Sequence, residues 1–95
     1  MQQYDYRAVD GRIIARINGR NYLLETSLPY SLGARPLLLD GRRIETSSEV
    51  LGLSVDDLSP QMGIELDGIL GGNVSDQFVV NVKPQDQQLV FDDYL

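Results

Sequence analysis

The features that most restrict how this chain can fold are three turn dipeptides, Asp10-Gly11, Asn18-Gly19 and Asp40-Gly41. Such pairs favour type I′ turns, in which both central residues have positive φ angles, because glycine lacks a Cβ atom and Asp or Asn tolerates the left-handed region. Type I′ turns join adjacent antiparallel strands. Three of them therefore predict a fold made of short β-hairpins.

The segments beside these turns are rich in strand-forming residues. Residues 4–9, 12–17 and 21–25 predict a three-stranded meander, and the side chains of 12–17 alternate with the period of a strand. Residues 36–39 and 42–46 predict a further hairpin. Its first arm contains three consecutive leucines and is apolar on both faces.

The second half of the chain predicts an apolar strand, one more hairpin and little helix. In order, these elements are a helical turn at 59–63 capped by Ser59, a strand at 64–72, a helix at 73–77 capped by Asn73, and strands at 78–82 and 88–91. Residues 92–95 are acidic and predict a frayed end. The sequence therefore predicts one all-β domain over residues 1–95, with one short helix near its C-terminus.

The absence of histidine, cysteine and tryptophan among the 95 residues excludes several chemistries. A chain without histidine has no Ser-His or Cys-His nucleophile pair, and a chain without cysteine has no disulfide, thiolate or iron–sulfur chemistry. Carboxylates, hydroxyls, arginines and a single lysine, Lys83, remain. We expect neither a cofactor nor a metal site.

Charge is divided unevenly along the chain, whose net charge is −6. Residues 1–43 contain seven arginines and four acidic residues, whereas residues 44–95 contain ten acidic residues and Lys83. Because the arginines are scattered with few aromatic residues between them, we expect no nucleic-acid binding. Halves of opposite charge favour association within one chain or between two copies.

Hydropathy predicts a protein without membrane contact. The longest apolar run, residues 36–39, is far shorter than the roughly 20 residues that span a bilayer. The first six residues are polar and lack the apolar core of a signal peptide. By default, we expect a cytoplasmic location.

Two segments carry a resemblance to a known family. In residues 17–32, a strand, Asn18-Gly19 and a second apolar strand lead into Glu25-Thr26-Ser27-Leu28, with Ser31 shortly after. In residues 67–78, Ile69-Leu70-Gly71 precedes a short helical segment. This order resembles the retropepsin-like aspartic proteases, in which Asp-Thr-Gly-Ala forms the catalytic loop and two apolar residues and a glycine pass behind it. The resemblance runs over residues 12–91 and implies a closed β-barrel, the half-enzyme of an acid protease.

The resemblance implies a homodimer in which each copy contributes one catalytic loop at a two-fold axis. Two carboxylates at about 3 Å share a proton and activate a water molecule against a peptide bond. Glu25 would supply this carboxylate, Thr26 would hydrogen-bond across the axis, and Ser27 occupies the glycine position. The hairpin at 36–46 resembles the flap that covers a substrate. The candidate substrate-binding residues are Leu28, Leu38, Leu39, Asp40 and Gly41.

The loop departs from the family's motif at three positions. Glu25 keeps the charge of aspartate but adds a methylene, and misplacement by about 1 Å costs on the order of a hundredfold in rate. Ser27 adds a Cβ atom where the family has glycine, and Leu28 replaces the usual alanine. These changes favour a homodimer that is inactive or that binds peptide or protein segments without cutting them.

Two alternatives stay open at this stage. One is an active acid endopeptidase that uses the Glu25 pair. The other is a small β-barrel that binds a protein partner and lies outside the family. In the family, terminal strands build a sheet shared by the two copies, and residues 1–6 and 91–95 are the segments available for it.

Overall fold

A computed structural model describes residues 2–34, 36–39, 41–49, 52 and 54–93. Within these residues the chain forms ten strands and two short helices, so the prediction of a mainly β protein is confirmed. In chain order, the elements are β1 (Gln2–Val9), β2 (Arg12–Ile17), β3 (Arg20–Leu24), β4 (Ser31–Gly33), β5 (Leu37–Leu39), β6 (Arg42–Ile44), β7 (Thr46–Ser47), α1 (Val55–Met62), β8 (Gly68–Leu70), α2 (Gly72–Ser75), β9 (Phe78–Lys83) and β10 (Gln88–Asp93).

Eight of these strands form one open sheet, so the prediction of a closed β-barrel is wrong. The strand order is β7-β4-β8-β3-β2-β1-β10-β9, and β5 and β6 form a separate hairpin. Apolar residues of one sheet face are packed against Leu37, Leu39 and Ile44 of the hairpin and Val74 of α2. Because these elements cover the face, the sheet buries its apolar side chains without closing on itself.

The glycine turns adopt the expected conformation. The residues at the first two turns have positive φ angles, namely Asp10 (51°), Gly11 (76°), Asn18 (53°) and Gly19 (78°). They join β1, β2 and β3 into the predicted antiparallel meander. At the third turn Gly41 has a φ of 80°, while Asp40 lies outside the described residues. The predicted hairpin of β5 and β6 is confirmed.

The first helix begins earlier than the sequence analysis predicted. Helix α1 starts after Ser54 rather than at Ser59. The carboxylate of Asp57 accepts hydrogen bonds from the Ser54 N–H (2.9 Å) and hydroxyl (3.0 Å). This pairing of a cap residue with an acid three positions later stabilises a helix start. The predicted end is confirmed, because Gly63 closes the helix with a φ of 67°.

Three predictions about the C-terminal third need correction. Strand β8 has only three residues, since the chain enters the sheet at Gly68. The cap position of α2 is Gly71, and Asn73 lies inside the helix, where its side chain hydrogen-bonds to Ser31 and to the Glu45 carbonyl. Asp92 and Asp93 are not frayed but belong to β10, where they pair with β9. The remaining tail residues, Tyr94 and Leu95, lie outside the described part.

The first and last strands pair with each other within a single chain. Strand β1 runs antiparallel to β10, with Gln2 opposite Phe91 and Gln3 opposite Val90. The segments expected to build a sheet between two copies are thus joined to one another, as far as they are described. Neither of the two described helices has the length and apolarity needed to cross a membrane.

Candidate functional site

The segment that carries the resemblance is a loop between β3 and β4, here called the candidate loop (residues 25–30). Although β3 and β4 are consecutive, β8 lies between them in the sheet. Strand β8 is parallel to β3, with Leu70 opposite Leu24, and antiparallel to β4, with Ile69 opposite Leu32. The candidate loop therefore passes from one side of β8 to the other.

Main-chain hydrogen bonds fasten the candidate loop to the end of β8. The Glu25 N–H donates to the Leu70 carbonyl (2.8 Å), and the Gly72 N–H donates to the Leu28 carbonyl (2.6 Å). The Leu28 N–H in turn donates to the Glu25 carbonyl (3.2 Å) and closes a tight turn. The position of the Glu25 backbone is thus set by residues more than forty positions away in the sequence.

Close approach of the chain explains the two glycines behind the candidate loop. A Cβ atom built on Gly71 would lie 2.1 Å from the Tyr30 carbonyl oxygen and 2.4 Å from its carbon. A Cβ atom on Gly72 would lie 3.1 Å from the Leu28 carbonyl oxygen and 3.3 Å from that of Thr26. The space beside Gly71 is therefore too small for any side chain. At Gly72, a Cβ atom would fit only if the neighbouring carbonyl oxygens moved slightly.

A buried serine connects the candidate loop to three other segments. Ser31 is fully buried, and its hydroxyl accepts a hydrogen bond from the Gly71 N–H (2.9 Å) and donates one to Oδ1 of Asn73 (2.7 Å). Asn73 Nδ2 donates onward to the Glu45 carbonyl (3.0 Å) between β6 and β7. This chain of polar contacts joins β4, α2 and the hairpin region.

Neither role was assigned from the sequence. The sequence identifies Ser31 only as a serine near the motif and predicts Asn73 as a helix cap. One indication of these roles is that Ser31 and Asn73 belong to the two segments that carry the resemblance, because those segments are neighbours in the sheet.

The three candidate catalytic residues lie together at the surface. Thr26 and Ser27 are exposed, and Glu25 is half-buried. The Ser27 hydroxyl donates a hydrogen bond of 2.5 Å to Oε1 of Glu25. One oxygen of the carboxylate is therefore occupied by Ser27, which stands where the motif that the loop resembles has glycine. The described residues other than glycine with positive φ are Asp10, Asn18 and Gln87, so Ser27 fits the loop without backbone strain.

The candidate substrate-binding residues divide into accessible and buried groups. Leu28 is half-buried on the candidate loop, and Gly41 is exposed at the tip of the β5–β6 hairpin. Leu38 is 59% exposed, whereas Leu39 is fully buried, because successive side chains of a strand point to opposite faces. Asp40 lies outside the described residues. Of the two leucines, only Leu38 can contact a bound peptide in this conformation.

The hairpin does not project freely over the candidate loop. Its buried residues pack in the same core cluster as Leu70 and Val74, which lie behind the candidate loop. The guanidinium of Arg42 lies 5.0 Å from the centre of the Phe78 ring, and Arg42 donates to the Gln77 carbonyl (3.0 Å). These contacts attach the hairpin to the start of β9.

The chemistry available at the site is that of one carboxylate and two hydroxyls per chain. Across the part of the chain that the structure describes, no cluster of three or more acidic side chains could hold a metal ion. Comparison with profiles of known protein families, with curated proteins and with solved structures found no match.

Proposed function

We propose that this protein is a retropepsin-like domain with an altered catalytic loop, which forms a homodimer and binds extended peptide segments without cutting them. The observation that carries the proposal is the support of the candidate loop from behind. The main-chain groups of Glu25 and Leu28 are hydrogen-bonded to those of Leu70 and Gly72. This agrees with the resemblance, in which two apolar residues and a glycine pass behind the catalytic loop.

Exposed apolar side chains support peptide binding at this site. Four large apolar side chains of the described residues are exposed, and two of them are Tyr30 on the candidate loop and Leu38 on the hairpin, each 59% exposed. Exposed apolar groups beside main-chain polar groups are typical of surfaces that bind extended peptides. The half-buried Leu28 of the candidate loop packs against the core cluster that contains Ile14, Leu23 and Leu32.

The side chains of the loop favour binding over hydrolysis. An aspartic protease dyad needs two carboxylates positioned to share a proton and a water molecule. Here the longer side chain of Glu25 is held by Ser27 of its own loop. Both differences move the carboxylate away from the geometry that hydrolysis requires, and small displacements of catalytic groups are costly.

The test is a peptide library assayed for both binding and cleavage between about pH 3 and 7, the range in which carboxylate pairs act. We compare the unaltered protein with Glu25→Gln and with the double variant Glu25→Asp/Ser27→Gly. The proposal expects binding by all three and cleavage by the double variant alone. Leu38→Ala should weaken binding about tenfold, and Leu38→Met, which keeps the apolar surface, should not.

Each other outcome identifies an alternative. Cleavage by the unaltered protein that Glu25→Gln abolishes would establish the active endopeptidase. The absence of both binding and cleavage in all three proteins would contradict the proposal and favour a protein-interaction module outside the family.

A further inference from the structure

A surface cleft lies on the meander of β1, β2 and β3, apart from the candidate loop. Its volume is about 360 Å³, within the range of small-molecule sites. The candidate loop follows the end of β3, whereas the cleft lies at the start of this strand, about 10 Å away along the chain. The residues that line the cleft are Asp5, Tyr6, Arg7, Ile14, Arg16 and Asn21.

The register of β1 and β2 places two arginines on the same side of this cleft. Arg7 lies opposite Ile14, and Arg16 lies opposite Asp5. Residues 7 and 16 are therefore diagonal neighbours on one face of the sheet, with Cα atoms about 7–8 Å apart. Side chains as long as arginine can direct both guanidinium groups at one small anion across this spacing.

The guanidinium of Arg16 is held in position from one side. Its Nη1 donates a hydrogen bond to Oδ1 of Asn21 (2.9 Å). Asn21 is itself fixed, because its main-chain N–H donates to Oδ2 of Asp67 (2.9 Å) and its Nδ2 donates to the Glu65 carbonyl (3.2 Å). The other N–H donors of Arg16 remain for a ligand, and a donor that is already positioned loses less entropy on binding.

The cleft has an excess of positive charge. Within the part of the chain that the structure describes, Arg7 makes neither a hydrogen bond nor an ion pair. Asp5 is the acidic residue of the lining, and its Oδ1 accepts a hydrogen bond from Nε2 of Gln88 (3.4 Å). Two guanidinium groups and one carboxylate leave one positive charge unbalanced, so the lining favours an anion.

The floor of the cleft strengthens this preference. Ile14 lies between the two arginines on the same face, is 2% exposed and belongs to the core cluster that contains Leu23 and Leu66. A ligand above Ile14 is therefore shielded from water on one side. Charges attract each other more strongly where water is excluded, because the local dielectric constant is lower.

We propose that this cleft binds a small organic monocarboxylate, whose oxygens accept hydrogen bonds from Arg7 and Arg16. The planar guanidinium group matches a carboxylate with two parallel N–H donors. A single negative charge neutralises the lining, whereas a dianion leaves an excess of negative charge beside Asp5. The inference does not depend on the proposed function, because the cleft and the candidate loop share no residue.

An NMR titration with benzoate at constant ionic strength tests the proposal. We expect the amide signals of Ile14 and Asn21 to shift and to saturate, with a dissociation constant on the order of 1 mM. Benzamide has the same shape without the charge and should cause no saturable shift. Benzoate without saturation, or benzamide with the same affinity as benzoate, would overturn the proposal.

Three matched variants test the two arginines. Arg7→Gln and Arg16→Gln should each weaken benzoate binding at least about tenfold, since each removes charge-assisted hydrogen bonds. The control is Arg43→Gln, which removes the same charge from an exposed position on the hairpin and should change the affinity less than about twofold. An equal loss in all three variants would show attraction to overall charge alone and would overturn the site.

The acidic residue of the lining provides a test of opposite sign. Asp5→Asn removes a negative charge beside the ligand and should tighten benzoate binding about threefold. Weaker binding in this variant would contradict the proposed arrangement. Inorganic phosphate, titrated into the unaltered protein, should bind more weakly than benzoate. Tighter binding of phosphate would overturn the assignment to a carboxylate.

Discussion

The hydroxyl of Ser31 donates a 2.7 Å hydrogen bond to Oδ1 of Asn73, and the same hydroxyl accepts a bond from the Gly71 N–H. Ser31 and Gly71 are buried, so the Gly71 N–H cannot turn to water in place of this hydroxyl. Buried polar groups of this kind are costly to leave unpaired. The position of the candidate loop therefore depends on the hydrogen bonds of Ser31, a residue just outside the loop.

Removal of the Ser31 hydroxyl should destabilise the fold. Ser31→Ala leaves the Gly71 N–H and Asn73 Oδ1 without their partner, and we expect a loss of about 1–3 kcal/mol in the free energy of unfolding. The control is Ser47→Ala, at an exposed site in β7, which should change stability by less than about 0.5 kcal/mol. Urea denaturation measures both. Equal effects in the two variants would mean that the buried contact contributes little.

Gly71 and Gly72 should respond very differently to a methyl group. Gly71→Ala places a Cβ atom against the Tyr30 carbonyl, and we expect a loss of about 3 kcal/mol, because the contact is with main chain that cannot move aside. Gly72→Ala requires a shift of only a few tenths of an ångström and should cost about 1 kcal/mol. Thermal unfolding of the two variants compares them. A tolerated Gly71→Ala would contradict the close packing of the candidate loop on β8.

Arg42 should hold the β5–β6 hairpin in place, whereas Arg43 should not. Arg42→Ala removes the contact with the Phe78 ring and the bond to Gln77, worth about 0.5–1 kcal/mol. Arg43 pairs with Glu45 at 2.9 Å, but both side chains are largely exposed and such pairs contribute little. Hydrogen exchange should accelerate in β5 and β6 for Arg42→Ala alone. The same acceleration in Arg43→Ala would show that charge, not the ring contact, fixes the hairpin.

Adjacent leucines in β5 should have opposite roles. Leu39→Ala opens a cavity in the core and should cost about 2–5 kcal/mol of stability. Leu38→Ala, at a 59% exposed position, should leave stability within about 0.5 kcal/mol of the unaltered protein. Guanidinium unfolding of both variants provides the comparison. A large loss of stability from Leu38→Ala would place its side chain in the core.

The elements that the sequence predicts well are those encoded by neighbouring residues. The dipeptide Asn18-Gly19 is sufficient to predict a type I′ turn, and this turn joins adjacent strands of the meander. Pairing of Gln2 with Phe91 has no such local signal, because it depends on which strands remain unpaired after the rest of the chain has packed. Barrel closure was predicted wrongly for the same reason. Coverage of the sheet by a separate hairpin is decided by packing between distant segments.

The candidate site likewise has features that neighbouring residues predict and features that depend on distant contacts. The motif locates Glu25, Thr26 and Ser27 in one loop, because they are consecutive. Asn73 has two possible uses in its own sequence context, as a helix cap or as a partner for a distant group, and only the arrangement around Ser31 decides between them. The bond from Ser27 to Glu25 depends on side-chain rotamers that a motif does not specify.

The pairing of β1 with β10 has a consequence for how the chain folds. The meander of β1, β2 and β3 forms from contacts between near neighbours, and such contacts form early. The other side of β1 is completed only by β10, and closing so long a loop carries a large entropic cost. During synthesis on the ribosome, β1 therefore presents an open edge until β10 has emerged. Folding of this sheet should be slow, and chaperones that shield strand edges would raise its yield.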